Sequence, residues 1–238
     1  MGQPDSRLIV ALDVPTTAEA TDLARRLAPH LAAVKVGSQL FTAEGPRAVH
    51  ALRDLGLRVF LDLKFHDIPN TVAGAVAAAR SLGVWMVNVH ASGGSAMLRA
   101  AAEAAAKGGA PDARPLVLGV TVLTSLEESD LRAAFGTTRT LREQVQYLAR
   151  EVRSAGLDGV VASPHEIADI RGACGADFLI VTPGVRPAQT DRGDQRRVLT
   201  PGEAIRAGAD YVVVGRPILA AKDPVEVAHR IADECQTA

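Results

Sequence analysis

The chain has 238 residues and a formal net charge of −1, which gives it no general attraction to nucleic acid or to an acidic membrane surface. No apolar run approaches the roughly 20 residues that span a bilayer, and no charged-then-apolar leader is evident. The two cysteines, Cys174 and Cys235, stand far apart without a metal-like spacing, so the expected setting is reducing and cytoplasmic, with no membrane and no nucleic acid as partner.

Hydrophobic residues make up 47% and aromatics only 3%, so the core must be built from Ala, Val, Leu and Ile, the palette of helices packed on parallel strands. In chain order, β-branched runs occur at 8–13, 32–37, 58–63, 85–90, 116–122, 159–162, 178–181 and 211–214, each followed by a stretch of helical character. The Ala runs at 75–79 and 100–106 read as plain helix, 107–112 as a helix stop and loop, and 127–134 as an extra helix inside the longest interval. Run starts lie 19 to 43 residues apart, close to the size of a βα unit. Eight such units over residues 1–238, with no linker to divide them, predict a single-domain α/β protein, a (β/α)₈ TIM barrel. A doubly wound open sheet is the competitor, but Asp13-Val-Pro-Thr-Thr stands after the first run where its Gly-rich fingerprint belongs. The connection 183–197 is long, polar and rich in Arg and Gly, which suits a mobile lid over an anion.

Barrel enzymes carry their sites at the C-terminal ends of the strands, so the polar residues that close each run are the candidates. The first run ends at Asp13, the second carries Lys35, and the third leads into Asp62, Lys64 and Asp67. Strand alternation places Asp62 and Lys64 on one face, roughly 6–7 Å apart along the backbone. Stabilising ion pairs at the rim are the bland account. The chemical one is that fixed carboxylates hold both lysines charged so that one can give a proton. A substrate carboxylate forced beside Asp62 would be destabilised relative to a transition state in which its charge leaves as CO₂, so decarboxylation without a cofactor fits the array. A Schiff-base lysine would need a lowered pKa, and flanking carboxylates raise it.

Gly215 and Arg216 follow the eighth run, where barrels frequently bind phosphate; the alternative is a tight turn with a surface arginine. Arg186, Gln195 and the backbone near Gly184 fall in the other half of that region. Thr124 and Ser125 could bond a substrate ring or cap a helix. His66 and His90 read as structural, and lysines among the acids without a tight His/Asp/Glu set argue against a metal.

From about Leu8 to Ile231, and above all in Asp62-Leu-Lys-Phe-His-Asp-Ile-Pro-Asn-Thr71, the sequence resembles the orotidine 5′-phosphate decarboxylase family. The resemblance implies conversion of orotidine 5′-phosphate to uridine 5′-monophosphate and CO₂ in de novo pyrimidine biosynthesis, by a cofactor-independent homodimer with shared active sites. It implies that Asp13 and Lys35 contact the ribose and orient the array, that Asp62 lies against the reacting carboxylate, and that Lys64 protonates the C6 carbanion. Asp67, Ile68 and Thr71 would enter the neighbouring subunit's site. Thr124 and Pro183 match positions at the pyrimidine, and Arg186, Gln195, Gly215 and Arg216 match the phosphate set. The related decarboxylase of 3-keto-gulonate 6-phosphate shares the Asp-x-Lys-x-x-Asp spacing but uses Mg²⁺, held partly by a glutamate where Lys35 stands here. From a different class, a non-catalytic phosphate- or nucleotide-binding barrel remains an alternative that a turnover assay separates.

Overall fold

Strands that are apolar on both faces can be buried only if they are covered on both, and this chain covers one face with helices and the other by closing the sheet on itself. The computed structural model describes residues 6–107, 114–186 and 199–238. In chain order the elements are β1 (Leu8–Ala11), α1 (Thr17–Leu27), β2 (Ala33–Gly37), α2 (Ser38–Glu44), α3 (Pro46–Asp54), β3 (Val59–Phe65) and α4 (Pro69–Ser81). They continue with β4 (Met86–His90), α5 (Ser95–Ala106), β5 (Leu116–Val120), α6 (Glu128–Phe135), α7 (Leu141–Ser154), β6 (Gly159–Val161) and α8 (Ile167–Cys174). The last are β7 (Leu179–Pro183), α9 (Pro201–Arg206), β8 (Tyr211–Val214), α10 (Arg216–Leu219) and α11 (Pro224–Gln236). The eight strands form one closed parallel barrel in sequence order, with β8 pairing back onto β1.

Alternation along each strand sorts the core into two layers. Leu8 and Val10 face the helices, whereas Ile9 and Ala11 join Ala33, Phe60, Met86, Leu118 and Val181 in filling the barrel. At the N-terminal end of the strands Trp85 and Tyr211 meet edge to face with centroids 5.3 Å apart, and the Arg58 guanidinium lies 4.4 Å over the Trp85 ring. Both rings pack against the interior cluster and stopper that end of the barrel. The helices follow from their caps and stripes. In α7 a capping box between Thr140 and Glu143 starts the helix, and Val145, Leu148, Ala149 and Val152 form its buried face at spacings of three and four.

The barrel predicted from the sequence is the one found, with β8 matched end to end and the extra helix at 127–134 realised as α6. Several ends differ. β1 stops at Ala11 rather than Asp13, β5 at Val120 rather than 122, and β7 runs on to Pro183, because apolar content does not report where ladder hydrogen bonds end. The connection after β2 is two helices, parted where Gly45 takes φ +60° and Pro46 begins α3. Residues 108–112 of the expected loop, and the 187–197 part of the expected lid, lie outside the described residues.

Gly159 shows how tightly the barrel closes. A Cβ there would stand 2.2 Å from the Leu179 carbonyl oxygen and 2.8 Å from its carbonyl carbon, both backbone atoms that cannot swing aside. We expect Gly159→Ala to cost about 1–3 kcal/mol, as overpacking does. Equilibrium denaturant unfolding would register this as a lower midpoint; an unchanged midpoint would mean that β6 and β7 separate freely.

Candidate active site

Asp62 projects into the barrel one layer above Phe60, and its side chain is only 12% exposed. A carboxylate so placed needs charged partners. Lys35 Nζ lies 3.2 Å from its Oδ2, and Lys64 Nζ lies 2.7 Å from its Oδ1. Lys35 Nζ is also 3.4 Å from Asp13 Oδ1, so the charges alternate Asp13, Lys35, Asp62, Lys64 along one continuous array. Burial is the largest influence on the Asp62 carboxyl and alone would raise its pKa. The Lys35 ammonium, then the Lys64 ammonium, then hydrogen bonds from Lys64 and Asn88 outweigh it and hold the group below the ordinary carboxylate range.

Two local features let these side chains meet. Lys35 sits one layer lower, paired with Phe60 across β2 and β3, and reaches upward past Gly37, which pairs with Asp62. A Cβ on Gly37 would lie 2.9 Å from Lys35 Nζ and 3.2 Å from Asp13 Oδ1, so the missing side chain is the space the ammonium occupies. The second feature corrects the sequence reading. Lys64 does not reach Asp62 by plain strand alternation: Leu61 pairs with Val87 but Phe65 with Val89, so three residues on β3 oppose one on β4. Within this bulge Lys64 has φ +51°, the only positive φ outside glycine among the described residues. Its backbone N–H, turned out of the ladder, donates to Asn88 Oδ1 at 2.8 Å, while Asn88 Nδ2 donates to Asp62 Oδ1 at 2.7 Å.

Lys35, Asp62, Lys64, Thr124 and Pro183 line one cavity of about 210 Å³, whose apolar wall is Val120, Val122, Leu123, Val161 and Val213. Asp13 joins through Lys35. Gly215 approaches the same corner, since a Cβ on it would lie 3.5 Å from Asp13 Oδ2. Arg216 is exposed at the start of α10, and the Arg186 side chain carries a buried Nε with no hydrogen-bond partner among the described residues. Gln195 lies outside the described residues. Asp67, Ile68 and Thr71 are exposed and do not line this chain's own cavity; the Asp67 carboxylate accepts the Ile68 N–H at 2.6 Å, and Ile68 is 67% exposed. The His66 and His90 rings meet tilted, with centroids 5.3 Å apart, and line a neighbouring cavity of about 360 Å³. Burial first, then the His66 and Lys64 charges, press the His90 pKa down against the pull of Asp62. Among the described residues no group of three or more His, Cys, Asp or Glu is arranged to hold a metal ion.

Sequence reasoning missed Gly37 and Asn88. A lone amide between Val87 and Val89 was the available signal for Asn88, because an inward polar residue in an apolar strand must have partners.

Residues 6–231 match the family model described as Orotidine 5′-phosphate decarboxylase / HUMPS family. The chain belongs to that family. It is 58% identical over 232 residues to the orotidine 5′-phosphate decarboxylase of Moorella thermoacetica, covering 97% of this chain and 92% of that protein. It is 55% identical over 234 residues to that of Syntrophotalea carbinolica, covering 98% and 96%. The crystal structure of orotidine 5′-phosphate decarboxylase from Lactobacillus acidophilus superposes with a TM-score of 0.86 at 39% identity, over 97% of this chain and 99% of that one.

The Gly37 contact separates site geometry from folding. Its φ of −95° suits alanine, and a Cβ would press only on the flexible ends of Lys35 and Asp13. Gly37→Ala should therefore lower turnover by about 10–100-fold, the scale of a small misplacement, while stability changes by less than about 1 kcal/mol. Paired activity and thermal-melting measurements test this; full activity would show that the ammonium has room to spare.

Proposed function

We propose that the protein decarboxylates orotidine 5′-phosphate to uridine 5′-monophosphate and CO₂ without metal or organic cofactor, as a step of de novo pyrimidine biosynthesis, with Lys64 as proton donor. The observation that carries this reading is the ionised Asp62 carboxylate held between two ammoniums on the wall of a small, largely apolar cavity. A substrate carboxylate seated beside Asp62 meets like charge. As the C–C bond breaks, that charge leaves with CO₂ and a carbanion forms at C6. The Lys64 ammonium then faces growing negative charge, so its attraction is stronger in the transition state than in the ground state. Proton transfer from Nζ to C6 completes the product, and the neutral amine regains a proton from solvent. Lys35, between Asp13 and Asp62, keeps the array charged and oriented. Thr124 and Pro183 border the pyrimidine, and Gly215, Arg216, Arg186 and Gln195 hold the phosphate.

In this reading residues 1–238 form one catalytic domain of a cytoplasmic homodimer, and Asp67, Ile68 and Thr71 complete the partner's site. The large exposed apolar side chain of Ile68, with Leu123 and Tyr147 also partly bare, supports burial of that region against a second copy. Among the described residues no helix is long and apolar enough to cross a membrane. The Mg²⁺-dependent sugar-phosphate reaction would need a carboxylate where Lys35 stands.

Loss of orotidine 5′-phosphate absorbance, followed with and without a chelator, tests the proposal. We expect equal rates in both. Activity lost to chelator and restored by Mg²⁺ would favour the sugar-phosphate reading, and folded protein without turnover would favour a binding barrel. Lys64→Ala should lose at least the roughly 10²–10⁴-fold that general acid catalysis contributes; near-normal activity in the folded variant would remove Lys64 from the mechanism.

The shared site has its own test. Inactive Lys64→Ala and inactive Asp67→Ala chains, mixed under subunit exchange, should regain about a quarter of parental site activity, because half the dimers are hybrid and each hybrid has one intact site. Confirmed hybrids without turnover would assign Asp67 to its own subunit's site.

A further inference from the structure

We propose that Asn88 is a positioning residue for this reaction: one carboxamide clamps the Asp62 carboxylate and the backbone of Lys64 together, fixing the proton donor over the charge that destabilises the substrate. The inference rests on the decarboxylase reading above. Asn88 is fully buried in β4, one inward position above Met86, with Val87 and Val89 facing the helices. Its amide has one acceptor and one donor group to place, and both go to the array. Oδ1 accepts the Lys64 N–H at 2.8 Å and Nδ2 donates to Asp62 Oδ1 at 2.7 Å. The reverse orientation would face donor with donor and oxygen with carboxylate, so the partners dictate the orientation.

The same Asp62 oxygen accepts the Lys64 ammonium at 2.7 Å, which closes a ring: Asn88 to Asp62, Asp62 to Lys64 Nζ, and the Lys64 backbone back to Asn88. A lysine tip on a flexible four-carbon stem is poorly fixed by one ion pair. Here the root is held as well. The left-handed backbone of Lys64 has lost its place in the ladder with β4, and Asn88 supplies the partner that keeps it there. Among the described residues the ionisable groups facing Asp62 are Lys35 from β2 and Lys64 from its own strand, with Asp13 beyond Lys35, His90 at the end of β4 and His66 just past β3.

Asn88→Asp keeps the size and the acceptor for the Lys64 N–H but sets a second carboxylate against Asp62. We expect kcat to fall about 100-fold, the scale of a small misplacement, with KM within about 3-fold. Its acid limb should move upward by at least about one pH unit, because two carboxylates sharing a site do not ionise together. Asn88→Ala should lose at least as much kcat without that move in the limb. A residue that merely supports the fold would lower the fraction of active protein but leave kcat per titrated site and the limb unchanged, and that result would overturn the proposal. Should neither variant fold, hydrogen exchange of the parent decides: a protected Lys64 amide supports the clamp and rapid exchange overturns it. Parent protein that fails to decarboxylate orotidine 5′-phosphate would instead sink the functional reading, a failure told apart because the Lys64 amide reports the clamp without turnover.

Discussion

A carboxylate inside a barrel is tolerated only when opposite charge reaches it from more than one side, and most of what is unusual in this structure serves Asp62 in that way. Lys35 comes from the neighbouring strand and needs the gap left by Gly37. Lys64 comes from the same strand and needs a bulge. Asp13, just past the end of β1, shares Lys35 and brings the formal charge of the four side chains to zero. Losing any one member leaves the array with a net charge, and losing Lys35 or Asp62 takes from Asp13 or Lys64 its ion-pair partner among the described residues. An incoming anion thus meets an array that is neutral as a whole but sharply polarised, negative at Asp62 and positive on either side.

The rest of the barrel confines this polarity to one mouth. Below the array the interior is filled by Ile9, Ala33, Phe60, Met86 and Leu118, and the far end is stoppered by Trp85 and Tyr211 under the Arg58 guanidinium. The filled interior closes that end, so the ions meet solvent at the C-terminal mouth of the barrel. The apolar wall of the cavity keeps the local dielectric low, which strengthens each charge-assisted contact the array makes.

The barrel was legible because eight β-branched runs at βα spacing leave little else to build, and a strand such as β8 that is apolar throughout reads the same from sequence and from structure. Strand ends were not. Asp13 looked like the last residue of a strand, yet the β1 ladder stops at Ala11 and Asp13 lies beyond it, half exposed, where Lys35 can reach its carboxylate. That Asp62 and Lys64 stand together was legible, but the geometry that joins them was not, since alternation is the default and a bulge depends on pairing with β4. Asn88 and Gly37 were hidden for the same reason. Neither residue type signals chemistry in an apolar run; each acquires its role from a side chain on another strand.

The bulge at Lys64 also joins the charged array to the exposed segment that follows it. A residue held at φ +51° costs on the order of 1–3 kcal/mol and persists only where its surroundings over-determine it. Here the constraint is twofold, with the backbone bonded to Asn88 and the ammonium to Asp62. The same turn that bends Lys64 back over the carboxylate releases the following residues from the barrel, so that Asp67 and Ile68 emerge exposed just before Pro69 opens α4. In the dimer we propose, that segment is the contribution to the neighbouring site. A disturbance of the bulge would then reach both sites at once, moving the proton donor in one and the donated loop in the other. In that dimer the irregular residue at the end of β3 would be the point where the chemistry of one subunit and the completeness of its partner depend on a single backbone conformation.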